Sequence, residues 1–464
     1  MTDTRSLDPT QRARIAIIAI LVIPTLALIA YFAYVFVLRD RLATCPPDCQ
    51  QTDLTDANLR QMNLAGANLS SATLSGVDLA GADLRKTNLY FANFKDANLQ
   101  GADLREADLR GALLHGTDLS GANLQQADLG GSRMAWANLS EADLRGTMFR
   151  GTELSGANLR GARLDVSTTL SPKWRQVWEI VNNDQTGRQL AGVDLRGANL
   201  SGAILESADL RQADLRDAVL SGTNLAGAQL EGARLQQSSI DGLTQLPAKW
   251  FQTWQIVNET EEGRSLAGID LSAANLQAAY LRAADLSAAN LDEAVLQEAD
   301  LRQADLRQAS LRDADLTEAS LHQADLQGAD LTGTNLSGVD LRESDLRQAI
   351  LDETTLISDG WRTVWQIVNG GAVNGQFSGA VLSWADLVGA DLSGANLQGA
   401  DLSNALLKSA DLADADLSGA SLWGADLTGA DLTGADLRNA DLRWAVLERT
   451  LLNGAMLEGA IMPE

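Results

Sequence analysis

The chain has 464 residues, with 36 basic against 61 acidic side chains for a net charge of -25, and only 5% aromatic residues. The excess carboxylate repels phosphate backbones unless basic residues are segregated, and they are not: arginine follows leucine directly, as in Asp83-Leu84-Arg85 and Asp108-Leu109-Arg110, interleaved with the acids. Direct nucleic-acid binding is therefore unexpected, and the dominance of Ala, Leu and Gly argues for a narrow interior with no cofactor pocket or small-molecule substrate.

A short tail, 1–14, precedes residues 15–38, which contain no charged side chain. At ~1.5 Å per residue such a helix spans ~36 Å, enough for a ~30 Å hydrocarbon core, so a transmembrane helix contacting the lipid bilayer is predicted here. Arg12 and Arg14 flank one end, Arg39 and Arg41 the other, and Pro24 falls near the middle, where bilayer-embedded helices tolerate proline. The rival is a cleaved leader, whose apolar core is usually only ~7 to 15 residues. Sidedness is barely signalled by the flanking arginines. The linker 39–51 carries the only two cysteines, Cys45 and Cys49, and a disulfide between them suits an oxidising compartment, so the C-terminal side is expected to face away from the cytoplasm. The alternative for the pair is two free thiols.

The remainder is dominated by one unit. Residues 97–109 read ANLQGADLREADL, and Ala-Asp/Asn-Leu-x-x recurs with little change. Five fits neither regular period: leucines five apart scatter around a helix, and on a straight strand they alternate faces. Each unit must therefore contain its own corner, so that Leu and the small residue two before it always point inward and the units wind into a solenoid. Leucine recurs at every fifth position from 54 to 164, with Phe94, Met134 and Phe149 as the substitutes, and the register resumes at 190–240, 266–356 and 377–462.

This gives four repeat blocks, 52–166, 188–241, 264–357 and 375–464, separated by inserts at 167–187, 242–263 and 358–374. Each insert carries a variant of one motif: WRQVWEIVN at 174–182, WFQTWQIVN at 250–258 and WRTVWQIVN at 361–369. Trp174, Val177, Trp178 and Val181 share one helical face, which predicts short amphipathic helices. Each is expected to cover the open end of the block that follows it.

The units resemble those of the pentapeptide-repeat protein family. The resemblance implies an all-β repeat fold, a right-handed quadrilateral parallel β-helix with four units per coil and Leu at the centre of each side. If a coil is 20 residues, positions 20 apart stack. Leu382, Leu402, Leu422, Leu442 and Met462 then share a face, with Trp384, Trp423 and Trp444 just outside it. Three tryptophans on an otherwise small, polar surface suggest a partner-docking stripe; the competing reading packs them on the preceding helix or on each other.

Catalytic chemistry is not legible. His115 and His322 have no companions of metal-ligand or triad spacing, and the aspartates recur as part of the repeat. Runs such as 429–434 lack the Lys-Ser/Thr of a phosphate loop. No catalytic, cofactor or metal site is assigned, and an enzyme is not expected. The leading expectation is a membrane-tethered scaffold that binds an unidentified protein. A second is an acidic DNA mimic that binds a DNA-handling enzyme such as gyrase, as the resemblance implies for some members; 13 acidic against 4 basic residues from Phe377 onward favour it. A third is an assembly or regulatory factor for a membrane complex.

Overall fold

The structure is a computed structural model and describes residues 48–370, 372 and 375–464. The expected membrane span 15–38 and Cys45 lie outside them. Among the described residues no helix is long and apolar enough to cross a membrane. Cys49 is buried, and no described cysteine is a free thiol.

Every repeat unit forms one short side and one corner. Leu99 donates its N–H to Asp118 O at 2.7 Å, and Asp118 donates to Ala97 O at 2.9 Å. Each side thus pairs in parallel with the side 20 residues on, as Asn98 does with Asp118 and Asp103 with Asn123. Four five-residue sides close one coil. The corner is a β-turn: Ala102 N–H reaches back to Leu99 O at 3.0 Å across Gln100 and Gly101, and Gly101 has φ 65. A left-handed residue in the third place of the turn is the sign pattern of type II.

The repeat chemistry follows from that geometry. Leu99, Leu104 and Leu109 with Ala102 and Ala107 fill the column, since only small side chains fit beside leucine where four sides converge. Where threonine replaces the small residue it keeps its hydroxyl satisfied: Thr87 donates to Leu64 O at 3.0 Å, and Thr117 to Phe94 O at 2.8 Å. The Asp or Asn before leucine caps the corner. Asp108 Oδ1 accepts the N–H of Arg110 at 3.2 Å, and Arg110 closes a fork on the same carboxylate, Nε to Oδ1 at 2.8 Å and Nη2 to Oδ2 at 2.6 Å. Many of the aspartates are thus turn caps, some neutralised by the arginine two residues on, as at Asp108, and others capping without one, as at Asp118 and Asp391.

Three helices interrupt the coils: α1 (Pro172–Asn182), α2 (Ala248–Asn258) and α3 (Asp359–Gly370). Just before each, pairing slips by one residue: Met148 pairs with Thr169, Asn224 with Gln245 and Asn335 with Leu356. Asp165 absorbs the first slip by accepting the N–H groups of Ser167 and Thr168, both at 3.0 Å.

The expectation that a helix covers the start of the following block is corrected in part: the hydrogen bonds that all three helices share run to the preceding block, while Lys249 of α2 also reaches Asp270 and Ser272 of the following one. Within a block, the carbonyl of the small residue accepts from the next coil, as Ala57 O does from Asp78 N at 2.9 Å. At the end of a block that donor is missing. The indole N–H groups of Trp178, Trp254 and Trp365 take its place on Ala162 O, Ser238 O and Ala349 O at 2.7, 3.0 and 2.7 Å. Asn182, Asn258 and Asn369 donate to the Leu159, Leu235 and Leu346 carbonyls at 3.0, 3.0 and 2.8 Å. The helices supply donors where a coil has run out of them.

The described chain forms two compact units: one runs to Asp184 and includes Ala198–Leu200, the other comprises Gln185–Gly197 and Ser201–Glu464. In the first, α1 seals the first block. In the second, the coils continue past α2 and α3 through single backbone bonds, Gly232 N–H to Ala273 O at 2.7 Å and Glu343 N–H to Trp384 O at 2.8 Å.

Candidate functional site

Among the described residues no cluster of His, Cys, Asp or Glu is placed to hold a metal ion. His322 faces outward, its Nδ1 3.0 Å from Arg342 O. The features that distinguish one part of the surface from the rest are aromatic.

Trp384 and Trp444 occupy the left-handed corner position, with φ 61 and 64, and Trp423 is the turn residue before the equivalent Gly424. With a coil every 20 residues all three lie on one corner ridge. They are 37%, 67% and 41% exposed respectively, and among the described residues none of them packs on another ring. Trp384 closes a cleft beside α3, which Trp423 and Trp444 do not line.

That cleft, about 380 Å³, is lined by Arg342, Ser358, Gly360, Trp361, Val381, Ser383 and Trp384. The Arg342 guanidinium lies 5.9 Å from the Trp384 ring centroid and is forked onto Asp340, Nε to Oδ1 at 2.8 Å and Nη2 to Oδ2 at 2.7 Å. That carboxylate raises the guanidinium's already high pKa further, and the guanidinium holds Asp340 below the usual carboxylate range. Gly360 is required by closeness: a Cβ there would meet Val381 O at 2.9 Å.

The cleft has a counterpart beside α2, and the two differ in chemistry. The seam bonds superpose Glu343 and Trp384 on Gly232 and Ala273, so Gly360, Val381 and Arg342 stand where Lys249, Asp270 and Glu231 do. There Lys249 lies over Trp250, 5.1 Å from the ring centroid, and its Nζ binds Asp270 Oδ2 at 3.2 Å and Ser272 Oγ at 2.7 Å. Trp250 is buried as a result, whereas Trp361 is half-buried. Replacing Lys and Asp by Gly and Val removes the ion pair, uncovers an indole and leaves an apolar wall. Period counting places Trp384 on the ridge, but the cleft depends on a neighbour across the α3 insert. Its sequence signal is Gly360 and Val381 together where the α2 seam carries Lys249 and Asp270, since an apolar residue before Leu also occurs at Leu113, Ile350 and Val446.

The family model for pentapeptide repeats matches residues 52–90, 92–131, 127–165, 188–217, 198–237, 269–308, 294–333, 309–348, 376–412 and 410–454. No curated protein sequence matches the chain. Among solved structures it is similar to HetL, a pentapeptide repeat protein involved in heterocyst differentiation regulation in the cyanobacterium Nostoc sp. strain PCC 7120, at 24% identity over 69% of this chain and 98% of that one, with a TM-score of 0.18. It is also similar to Rfr23 of the cyanobacterium Cyanothece 51142, at 30% identity over 26% of this chain and 89% of that one, with a TM-score of 0.20. A pentapeptide repeat protein of the Arabidopsis thaliana thylakoid lumen is 30% identical over 23% of this chain and 72% of that one, with a TM-score of 0.18.

Proposed function

The chain belongs to the pentapeptide-repeat family, and from that premise we propose that it is a non-enzymatic, membrane-tethered β-solenoid that presents its surface to a protein partner. The observation that carries this reading is the corner ridge of Trp384, Trp423 and Trp444, exposed among Asp, Ser, Thr and Gly. Exposed aromatic clusters mark contact sites because they bury large area at little entropic cost. The tether rests on the uncharged run 15–38. A Cys45–Cys49 disulfide beyond it belongs to the same proposal, with the repeats on the non-cytoplasmic side; non-reducing peptide mapping that finds two free thiols removes it.

The deciding experiment replaces Trp384, Trp423 and Trp444 together by Ser and compares what co-purifies with the full chain from membranes in mild detergent. Loss of a stoichiometric protein from the variant supports the reading, and an unchanged set removes the ridge from it. The acidity of the last block favours a second reading, a DNA mimic that engages a DNA-handling enzyme such as gyrase. A C-terminal reporter active only outside the cytoplasm would eliminate that one.

A further inference from the structure

We propose that the cleft between Trp361 and Trp384 receives a large apolar side chain from an extended segment of a partner polypeptide, with a neighbouring carboxylate of that segment meeting Arg342. The inference rests on the protein-binding reading above and specifies the ligand.

The walls define the first half of the ligand. Trp361, Trp384 and Val381 supply apolar surface, and about 380 Å³ is of the size that large side chains and small ligands fill. Val381 is 61% exposed and, like Ile350 and Val446, is apolar at a position where the repeat most often places a corner-capping Asp or Asn.

The charge defines the second half. The equivalent position beside α2 is occupied by Glu231, and there Lys249 lies over Trp250. Beside α3 the acid is replaced by Arg342, and both groups of the Lys249–Asp270 ion pair are absent. The fork to Asp340 uses Nε and Nη2, and Nη1 makes no hydrogen bond among the described residues. Arg302, forked onto Asp300 as Arg342 is onto Asp340, occupies the same place two coils before. A carboxylate, which can take two guanidinium N–H groups, suits this rim better than an ammonium.

The ridge gives the occupant its form. Trp444 lies three coils beyond Trp384, about 14 Å at ~4.8 Å per coil, with Trp423 between. Four or five residues of extended chain cover that distance at ~3.3 Å each. An extended peptide could therefore seat one side chain in the cleft and still lie along both outer tryptophans.

The test uses the full chain in detergent as bait for a phage library of random twelve-residue peptides. Enrichment of sequences that place Leu, Met, Phe or Trp beside Asp or Glu is expected. Binding of an enriched, fluorescein-labelled peptide should weaken at least tenfold in Val381→Asp and in Arg342→Glu. Both substitutions import residues that the α2 seam already carries, and circular dichroism checks that each variant folds. Enrichment of basic peptides, no enrichment, or binding unchanged by both substitutions overturns the inference. So does self-association of the chain that Val381→Asp abolishes, since the occupant would then be a second copy. Loss of peptide binding only in Trp423→Ser/Trp444→Ser would overturn the cleft and leave the ridge reading standing, and the co-purification experiment reports on the ridge whatever the library returns.

Discussion

Phe91 lies directly over Gly111 on the next coil: a Cβ added to Gly111 would meet ring atom Cε1 at 2.6 Å. Gly111 also has φ 69, whereas at Gly121, with φ 64, an added Cβ would have nothing within 4 Å. Comparing the two separates contact from backbone strain. Gly121→Ala should cost about 0.5 kcal/mol, the left-handed penalty of ~1–2 kcal/mol less the ~0.5–1 kcal/mol of unfolded-state entropy that alanine saves, and Gly111→Ala about 1 kcal/mol more because the ring must swing off its seat. Urea unfolding with a Phe91→Ala double-mutant cycle checks this. Equal costs at the two glycines would assign everything to φ.

Corner strain can also be relieved. From Ala273 to Gln323 a run of corners carries non-glycine residues at φ near 55 to 60, among them Ala278 at φ 56. An L-residue pays ~1–2 kcal/mol for that conformation, while glycine adds ~0.5–1 kcal/mol of unfolded-state entropy. Ala278→Gly, at an exposed methyl, should therefore stabilise by about 0.5 kcal/mol, read as a raised urea midpoint. A lowered midpoint would mean that the corner holds no strain.

Much of this fold is legible without coordinates because each unit restates it. A five-residue period forces a corner, and Ala102 and Leu104 repeat the inward pair that Ala97 and Leu99 already declare. The helices are legible from Trp174, Val177, Trp178 and Val181. Which end they seal is not, because Ala162 O becomes an unmet acceptor only when the next coil fails to arrive, and nothing local to Trp178 records that. The cleft is hidden for a similar reason. Arg342, Gly360 and Trp384 are neighbours only once α3 has been looped out between adjacent coils. The visible cue is compositional, Gly360 and Val381 where the α2 seam has Lys249 and Asp270.

The sealing role of the helices predicts a local loss. Asn182 Nδ2 donates to Leu159 O at 3.0 Å and to Trp178 O at 2.8 Å, and its Oδ1 accepts the Gly161 N–H. Asn182→Ala leaves these groups without partners, at about 1–3 kcal/mol for the set. Hydrogen exchange should accelerate at amides of the last coil of the first block and stay unchanged in its middle, around Leu99. Uniform acceleration would show that the block unfolds as one and that the helix is no separate seal.

Acid should loosen the solenoid in a defined window. The Arg145 fork, helped by the Gln125 amide, holds Asp143 at about 2, and the Thr354 hydroxyl with the Gly333 and Thr355 N–H groups holds Asp352 at about 2. Arginine forks also lower Asp83, Asp108, Asp305 and Asp436. An unfolded carboxylate titrates at ~3.9, so groups depressed in the fold contribute fully above that pH, and their contribution is lost as pH falls towards 2. Asp386 has the opposite sign. Burial raises its pKa, against the pull of the Val388 N–H and of Arg347 3.9 Å away, so its ionised form opposes folding at neutral pH and protonation relieves the penalty. Asp386→Asn should raise the urea midpoint at pH 7 and leave it unchanged at pH 3, where the carboxyl is already neutral. Asp143→Asn should lower the midpoint at pH 7, and its deficit should shrink as the wild-type carboxylate protonates. Equal effects of either substitution at both pH values would mean that packing, and not charge, sets the difference.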